Sequence, residues 1–222
     1  MSNPAADHPA PAWKEARRES ARAAIVAAAW SAVAEVGLAG LSMRDLARRA
    51  GISTPTIYAY FASKHDVYDA MFKEAAEEHE RRAHAAVTPS EPRAMLVEMA
   101  GRFMEFCRSD VARYQLLFQR TIPDFEPSAD AYAPAVRTLE LARTRMAGAG
   151  FGDQRSLDLW TALLTGLVDQ QISNDPDGER WASLIDDAVD MFLAATRQPT
   201  AKSPTSKTPT SKSPTSKTRS RT

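Results

Sequence analysis

The chain has 222 residues with a formal net charge of zero, 44% hydrophobic and 25% charged, a balance that excludes a disordered or fibrous protein and fits a globular one. The single cysteine, Cys107, excludes an intrachain disulfide framework and suits a reducing compartment. Charge is unevenly spread. Residues 12–64 carry 8 basic and 4 acidic side chains, residues 66–196 carry 13 and 23, and residues 197–222 carry 7 and none, so a polyanion would meet either end and avoid the middle.

The first twelve residues are rich in Pro and Ala and lack the apolar core of a secretory signal. No run reaches the roughly 18 apolar residues that a membrane span requires. These features lead to the expectation of a cytoplasmic chain with no membrane partner.

Residues 1–17 read as a flexible arm. The first helix spans Lys14–Val36, with Ile25, Ala29, Ala32, Val33 and Val36 on one stripe. Gly37 stands where a helix end favours a left-handed residue. Lys14, Arg18 and Arg22 share a face at i, i+4 spacing. With Arg17 they form either a basic arm for the minor groove or phosphates, or a plain charged surface. A short second helix runs Ser42–Ala50, with Ser42 and Asp45 as a capping-box pair and Gly51 as its stop. A third starts near Ser53 or Thr54 and ends at Tyr60. With Thr54 as N-cap, Pro55 takes the first helical position, where its missing N–H costs nothing. Ser63 and Asp66 cap a fourth helix that continues to about Ala86.

Thr88–Pro92 breaks the chain. Helices follow at 92–108, 111–120, 134–148, 154–173 and 178–196, with 121–133 as a loop. Beyond Thr196, Pro199, Pro204, Pro209 and Pro214 recur every five residues, as do Lys202, Lys207, Lys212 and Lys217. This repeat has no apolar side chains to bury and reads as an extended cationic tail, either solubilising or an accessory DNA contact. The architecture is all-α: four small N-terminal helices, then a larger bundle. The boundaries fall at 1–17 for the arm, 18–78, 79–196, and 197–222 for the tail.

Leu41–Phe61 has the composition of a helix-turn-helix. Ala47 is small enough for two helices to approach, and Gly51 permits a tight turn. Met43, Leu46, Ala50, Ile52 and Ile57 supply apolar faces that lock the pair to the first helix. The outward face of the third helix carries Thr54, Thr56, Tyr58 and Tyr60, hydroxyls suited to base edges and phosphates. Tyr58 has a second reading as mostly core with only its hydroxyl reaching out. Ser42 and Ser53 are also caps, and Arg48 and Arg49 read as a solvated face.

From about Arg18 to Glu78 the chain resembles the TetR family of bacterial repressors. The resemblance rests on Ser42-Met43-Arg44-Asp45-Leu46-Ala47 with Ala50-Gly51, and on Ile57-Tyr58 with Tyr60-Phe61 and Ser63-Lys64. It implies that Thr54, Pro55 and Thr56 enter the major groove, and that Ser42, Arg44, Tyr58 and Tyr60 meet phosphates. It also implies that Lys64 clamps the DNA backbone at a helix N-terminus. Ala59 departs from the larger polar residue common at that position, which leaves fewer side chains for base readout.

The resemblance further implies that the second domain binds a ligand and pairs two subunits. The helix at 178–196 carries Trp181, Leu184, Ile185, Ala188, Val189, Phe192 and Leu193, and that at 154–173 carries an equally wide stripe. Trp181, Ile185, Ala188 and Phe192 are the candidate dimer contacts. Phe103, Met104, Phe106, Cys107, Tyr114, Phe118 and Trp160 are candidates for lining a ligand site, with Gln119, Arg120 or Gln170 as orienting groups. Each of these has an alternative reading as plain core.

The four histidines show no metal spacing, and no Gly-rich phosphate loop or nucleophile elbow is present. The expectation is therefore a cofactor-free non-enzyme: a bacterial, nucleoid-associated homodimeric repressor, released from a palindromic double-stranded DNA operator by a small apolar or aromatic effector. A ligand-independent activator or DNA-organising protein, and a helical protein-interaction module, are the alternatives.

Overall fold

Capping side chains determine where most helices begin. In the computed structural model, which describes residues 12–86 and 89–197, the order is α1 (Ala12–Gly40), α2 (Met43–Arg49), α3 (Thr54–Tyr60), α4 (Lys64–Ala85), α5 (Pro92–Ser109), α6 (Val111–Phe118), α7 (Ala129–Gly148), α8 (Gln154–Asn174), a 3-10 turn (Ala182–Leu184) and α9 (Ile185–Arg197). Ser53, Glu91, Asp110, Ser128 and Asp153 each accept from a backbone N–H of the helix they open, which satisfies donors that a helix cannot satisfy itself. Ser63 and Asp66 form the expected reciprocal capping box at α4. The fold is all-α, and among the described residues there is no strand.

Several sequence expectations are corrected. Residues 12–17 are not an arm but the first turns of α1, a stretch of good helix formers with Glu15 placed to favour the positive helix end. Residues 1–11 of that arm, and 198–222 of the repeat tail, lie outside the described residues. Ser42 caps α2 without a side-chain bond, because Asp45 is taken by Arg48 and Arg49. α7 begins at Ala129, before Pro134. Ser128 starts it, and Asp69 of α4 grips Ser128 through its backbone N–H at 2.6 Å and its hydroxyl at 2.8 Å. α9 begins at Ile185, since the chain before it is tied down by Gln171.

That glutamine is fully buried. Its Oε1 accepts from the backbone N–H groups of Trp181 (2.8 Å) and Ala182 (2.9 Å), and its Nε2 donates to the carbonyls of Gly178 (3.0 Å) and Asp175. One side chain thus replaces a turn of helix for four backbone groups.

Gly37, at φ 70 and ψ 169, breaks the regular path of α1, a conformation that favours glycine. Among the described residues, one helix, α1, is long and apolar enough by composition to cross a membrane, its most apolar 18-residue window having a mean hydropathy of 1.6. The expectation that no such run exists is therefore corrected. Much of this hydropathy is alanine; of the bulky members, Ile25, Val26, Val33 and Leu38 are buried inside the fold, while Val36, expected on the same stripe, is exposed.

Three apolar clusters hold the chain together. The first joins α1 to Leu46 and Ala47 of α2, Ile57 and Phe61 of α3, and Val67, Tyr68, Met71 and Phe72 of α4. It continues into Leu116, Ile122 and Ala131. The second joins Leu96 of α5, Met146 of α7, Trp160 of α8 and Phe192 of α9. The third holds Met104, Cys107, Tyr114 and Val168. The helix α4 packs on α1 near its start and on α7 along its length.

Replacing Gln171 by Leu leaves the half-buried N–H groups of Trp181 and Ala182 without partners, while the carbonyls of Gly178 and Asp175 keep Arg108 Nη2 and the Gly178 N–H, so it is expected to cost about 1–3 kcal/mol. Urea unfolding of the wild type and Q171L would measure this. A loss within experimental scatter would mean that the 175–181 segment is held by other contacts.

Candidate DNA-binding and ligand-binding sites

The N-terminal turn of α3 is shaped by two hydroxyls. Ser53 Oγ accepts from the Thr56 backbone N–H at 3.2 Å and lies 2.7 Å from Thr56 Oγ1. Ile57 and Phe61 point into the core. Pro55, Tyr58 and Ala59 are exposed, while Thr54, Thr56 and Tyr60 are half-buried. Tyr58 is 50% exposed, so its ring as well as its hydroxyl faces outward.

Several elements hold this helix in place. Arg22 of α1 donates to the Tyr60 carbonyl and stacks 4.2 Å over the Phe61 ring, fastening the end of α3. Gly51, at φ 67, makes the turn between α2 and α3. Arg49 is not simply a solvated residue. It grips Glu35 of α1 through two bonds of 2.8 and 2.6 Å and Asp45 at 2.7 Å. The guanidinium holds both carboxyls below their usual range, and the fork geometry fixes α2 on α1. Asp45, read from sequence as a cap, is the centre of this network.

Ser42 and Arg44 are exposed at the start of α2, and Arg44 makes no hydrogen bond or ion pair among the described residues. With Ser53 and Thr54 they line a shallow polar cleft between the starts of α2 and α3. Lys64 is partly engaged: Nζ donates to the Leu41 carbonyl at 3.3 Å and lies 5.5 Å from the Tyr68 ring centre. Lys14, Arg17 and Arg18 are exposed on the first turns of α1.

The second site is a cavity of about 220 Å³ walled by α4, α5, α6, α7 and α8. Each wall is one helical face: Ala76, His79 and Ala83 on α4, with Ala86 just past its end; Met99, Arg102, Phe103 and Phe106 on α5; Ala135, Thr138, Leu139, Ala142 and Arg145 on α7; Leu157, Trp160, Thr161 and Leu164 on α8. Phe118 of α6 adds an aromatic edge. The sequence candidates Phe103, Phe106, Phe118 and Trp160 are therefore brought together. Met104, Cys107 and Tyr114 lie on other faces of α5 and α6, in the third cluster, and burial pushes the Cys107 thiol up, keeping it protonated. Gln119 is spent on Asp169 at 2.9 Å, and neither Arg120 nor Gln170 lines the cavity. His79, Leu139 and Arg145 were not singled out in the sequence. For His79 the signal was the spacing of Ala76, His79 and Ala83, a small-residue face on the fourth helix; Leu139 and Arg145, on α7, had none.

The candidate dimer residues face their own chain. Phe192 packs on Trp160 at 5.3 Å and on Phe151 at 5.5 Å between ring centres, and Ala188 is buried beside it. Ile185 is half-buried between two clusters. Trp181 lies in the segment before α9, with Arg180 over its ring at 5.2 Å. The exposed apolar side chains nearby are Leu159, Leu184 and Met191.

A seven-residue helix, capped and presented outward across a glycine turn from a second short helix, defines a helix-turn-helix, the element that DNA-binding regulators place in the major groove. Residues 25–71 match the family model described as bacterial regulatory proteins, tetR family. The domain is therefore that of the TetR family of transcription regulators. The whole fold agrees. A protein of unknown function from Rhodococcus sp. RHA1 is 21% identical, with 87% of this chain and 98% of that one covered and a TM-score of 0.66. The TetR-family regulator PfmR from Thermus thermophilus is 21% identical over 77% of this chain and 97% of that one, with a TM-score of 0.57. A TetR variant from Acinetobacter baumannii AYE, solved with minocycline, is 24% identical over 77% of this chain and 93% of that one, with a TM-score of 0.54. At these identities the likeness is one of fold.

In the cavity, His79 stacks on Phe106 at 4.6 Å, with Phe103 at 5.9 Å and Phe118 at 5.7 Å. Burial, reinforced by Arg82, lowers its pKa from 6.5 to about 4. Between those values the unfolded chain binds a proton at this site and the folded chain does not, so this contribution to stability is complete above the higher value and lost as pH falls towards the lower. Between about pH 7.5 and about pH 5, wild type is expected to lose about 2 kcal/mol more than His79→Phe. Urea unfolding at both pH values checks this, and equal losses would show that His79 is protonated in the fold.

Proposed function

We propose that this chain is a dimeric repressor that releases a palindromic operator when a small ligand with an apolar or aromatic body fills the cavity. The observation that carries this reading is the double membership of α4. Its first turns, Val67–Phe72, belong to the core beneath the helix-turn-helix, and its later turns, from Ala76 to Ala83, wall the cavity. A ligand that favours a different α4 position shifts the population between two spacings of the recognition helices. A coupling of about 1–3 kcal/mol is typical of such linkage. The minocycline complex of the Acinetobacter relative is consistent with this reading.

Two recognition helices about 34–36 Å apart read a two-fold site, which requires a dimer. The exposed faces of α8, with Leu159, Ala162 and Gly166, and of α9, with Met191, Ala194 and Ala195, are shallow and poor in charge and suit a four-helix contact with a second copy. On DNA, Thr54, Pro55 and Thr56 lie in the major groove. Ser42, Arg44, Tyr58, Tyr60 and Lys64 meet phosphates, and Lys14, Arg17 and Arg18 approach the flanking backbone. The protein works in the cytoplasm, on the bacterial nucleoid.

Selection of DNA from a random pool by the purified protein, with the mass of the complex recorded, tests the reading. A palindrome bound by dimers is expected. Binding without sequence enrichment that vanishes at moderate salt would overturn it. On the selected site, Thr56→Ala is expected to weaken specific binding about tenfold and random DNA little. Lys64→Ala should weaken both and flatten the salt dependence by about one unit of slope. Equal losses on both DNAs for T56A would remove Thr56 from base readout.

A further inference from the structure

The cavity wall is apolar apart from a few groups. Four of them are charged: Arg82, Glu98, Arg102 and Arg145. Two of the three cations are already paired with acids of their own helices. Arg82 pairs with Glu78 at 2.7 Å, a carboxylate it shares with Arg81, and Arg102 pairs with Glu98 at 2.6 Å. Glu98, the one carboxylate on the wall, is thereby engaged as well. The hydroxyls of Thr138, Thr161 and Thr165 each donate to a carbonyl of their own helix.

Arg145 is different. Its Nη2 donates to the Ala83 carbonyl at 3.1 Å, in the last turn of α4. Its Nε and Nη1 have no partner among the described residues, and no carboxylate pairs with it. Burial holds its pKa down with no acid acting against that effect. A half-buried guanidinium without a counter-charge is costly and depends on the water that reaches it. A purely hydrocarbon ligand would displace that water and offer nothing in return. An acid would supply both the charge and two acceptor oxygens in the plane of the guanidinium.

We propose that the effector is a medium-sized monocarboxylate, its apolar or aryl body lying against Phe103, Phe106, Phe118 and Trp160 and its carboxylate paired with Arg145. This rests on the reading of the cavity as the effector site. The carboxylate meets Arg145 between α7 and the end of α4, because Arg145 already bridges those helices through Ala83. The ligand therefore binds where it pulls on the lever that reaches the DNA-binding core. One unpaired guanidinium balances a single negative charge, so a monocarboxylate is the better match than a dianionic phosphate.

Calorimetric titration of the full-length protein with hexanoate, decanoate, hexadecanoate and naphthoate, each against its matched primary alcohol, tests the proposal. At least one acid is expected to bind about tenfold or more tightly than its alcohol. Arg145→Gln should remove that preference while leaving alcohol affinity within about twofold, Arg145→Lys should restore part of it, and Arg143→Gln, at a cation of the same helix that does not line the cavity, should change it less than about twofold. Thermal melts of each variant establish that it folds. If R145Q does not fold, R145K and R143Q still decide, because a charge-assisted fork predicts a loss only in R145K. Alcohols binding as well as acids, or a preference insensitive to Arg145, would overturn the carboxylate proposal and leave the effector cavity standing. If no acid and no alcohol binds, the effector reading fails too.

Discussion

The architecture depends on one helix belonging to two cores. The 22 residues of α4 run without interruption from the capping box at Ser63 to Ala85. Tyr68, wholly buried, donates its hydroxyl to the Leu38 carbonyl just past the bend in α1. One and two turns later the same helix meets α7 and the cavity. A helix is stiff along its axis, so a displacement at Ala83 is not absorbed before Val67. A loop between the two cores would have uncoupled them.

Electrostatics fixes what apolar packing leaves free. Greasy contacts between two short helices tolerate sliding, whereas a forked guanidinium between two carboxylates does not. Arg49 plays this part for α2 against α1, and Arg113 plays it higher up. Arg113 lies 4.9 Å from the Trp30 ring of α1 and 3.0 Å from Glu74 of α4, while belonging to α6. Such surface pairs add little stability individually. Their contribution here is orientation, and together they hold α1, α2, α4 and α6 in one arrangement.

The sequence revealed the helices well and the cavity poorly. Caps are local, so Ser53, Ser63 with Asp66, and Gly37 announced their roles in short windows of chain. The helix-turn-helix was legible for the same reason, since its turn glycine and small alanine lie within twenty residues of each other. A void has no such signature. It forms where Ala76, Ala83, Ala135 and Ala142 leave space between helices far apart in the chain. The stripes on α5 illustrate the limit: Phe103 and Phe106 border the cavity, while Met104 and Cys107, adjacent in sequence and equally apolar, lie on the opposite side. The inward turn of Phe192 was hidden likewise, because a wide apolar stripe does not say how much of it the chain's own α8 will cover. Asp45 misled because a carboxylate three residues after a serine has a familiar local use, and only the fold showed that two arginines claim it.

The alanine-rich α1 shapes how the protein is made. Its buried side, Ile25 to Leu38, finds partners in α4, but also in Leu116, Ile122 and Ala131. A ribosome releases these segments in order, so this apolar face must wait for a long stretch of chain before its core is closed. The helix-turn-helix is thus a domain by function and only partly one by folding: a fragment cut after residue 78 would carry the full reading head and an open seam along its back.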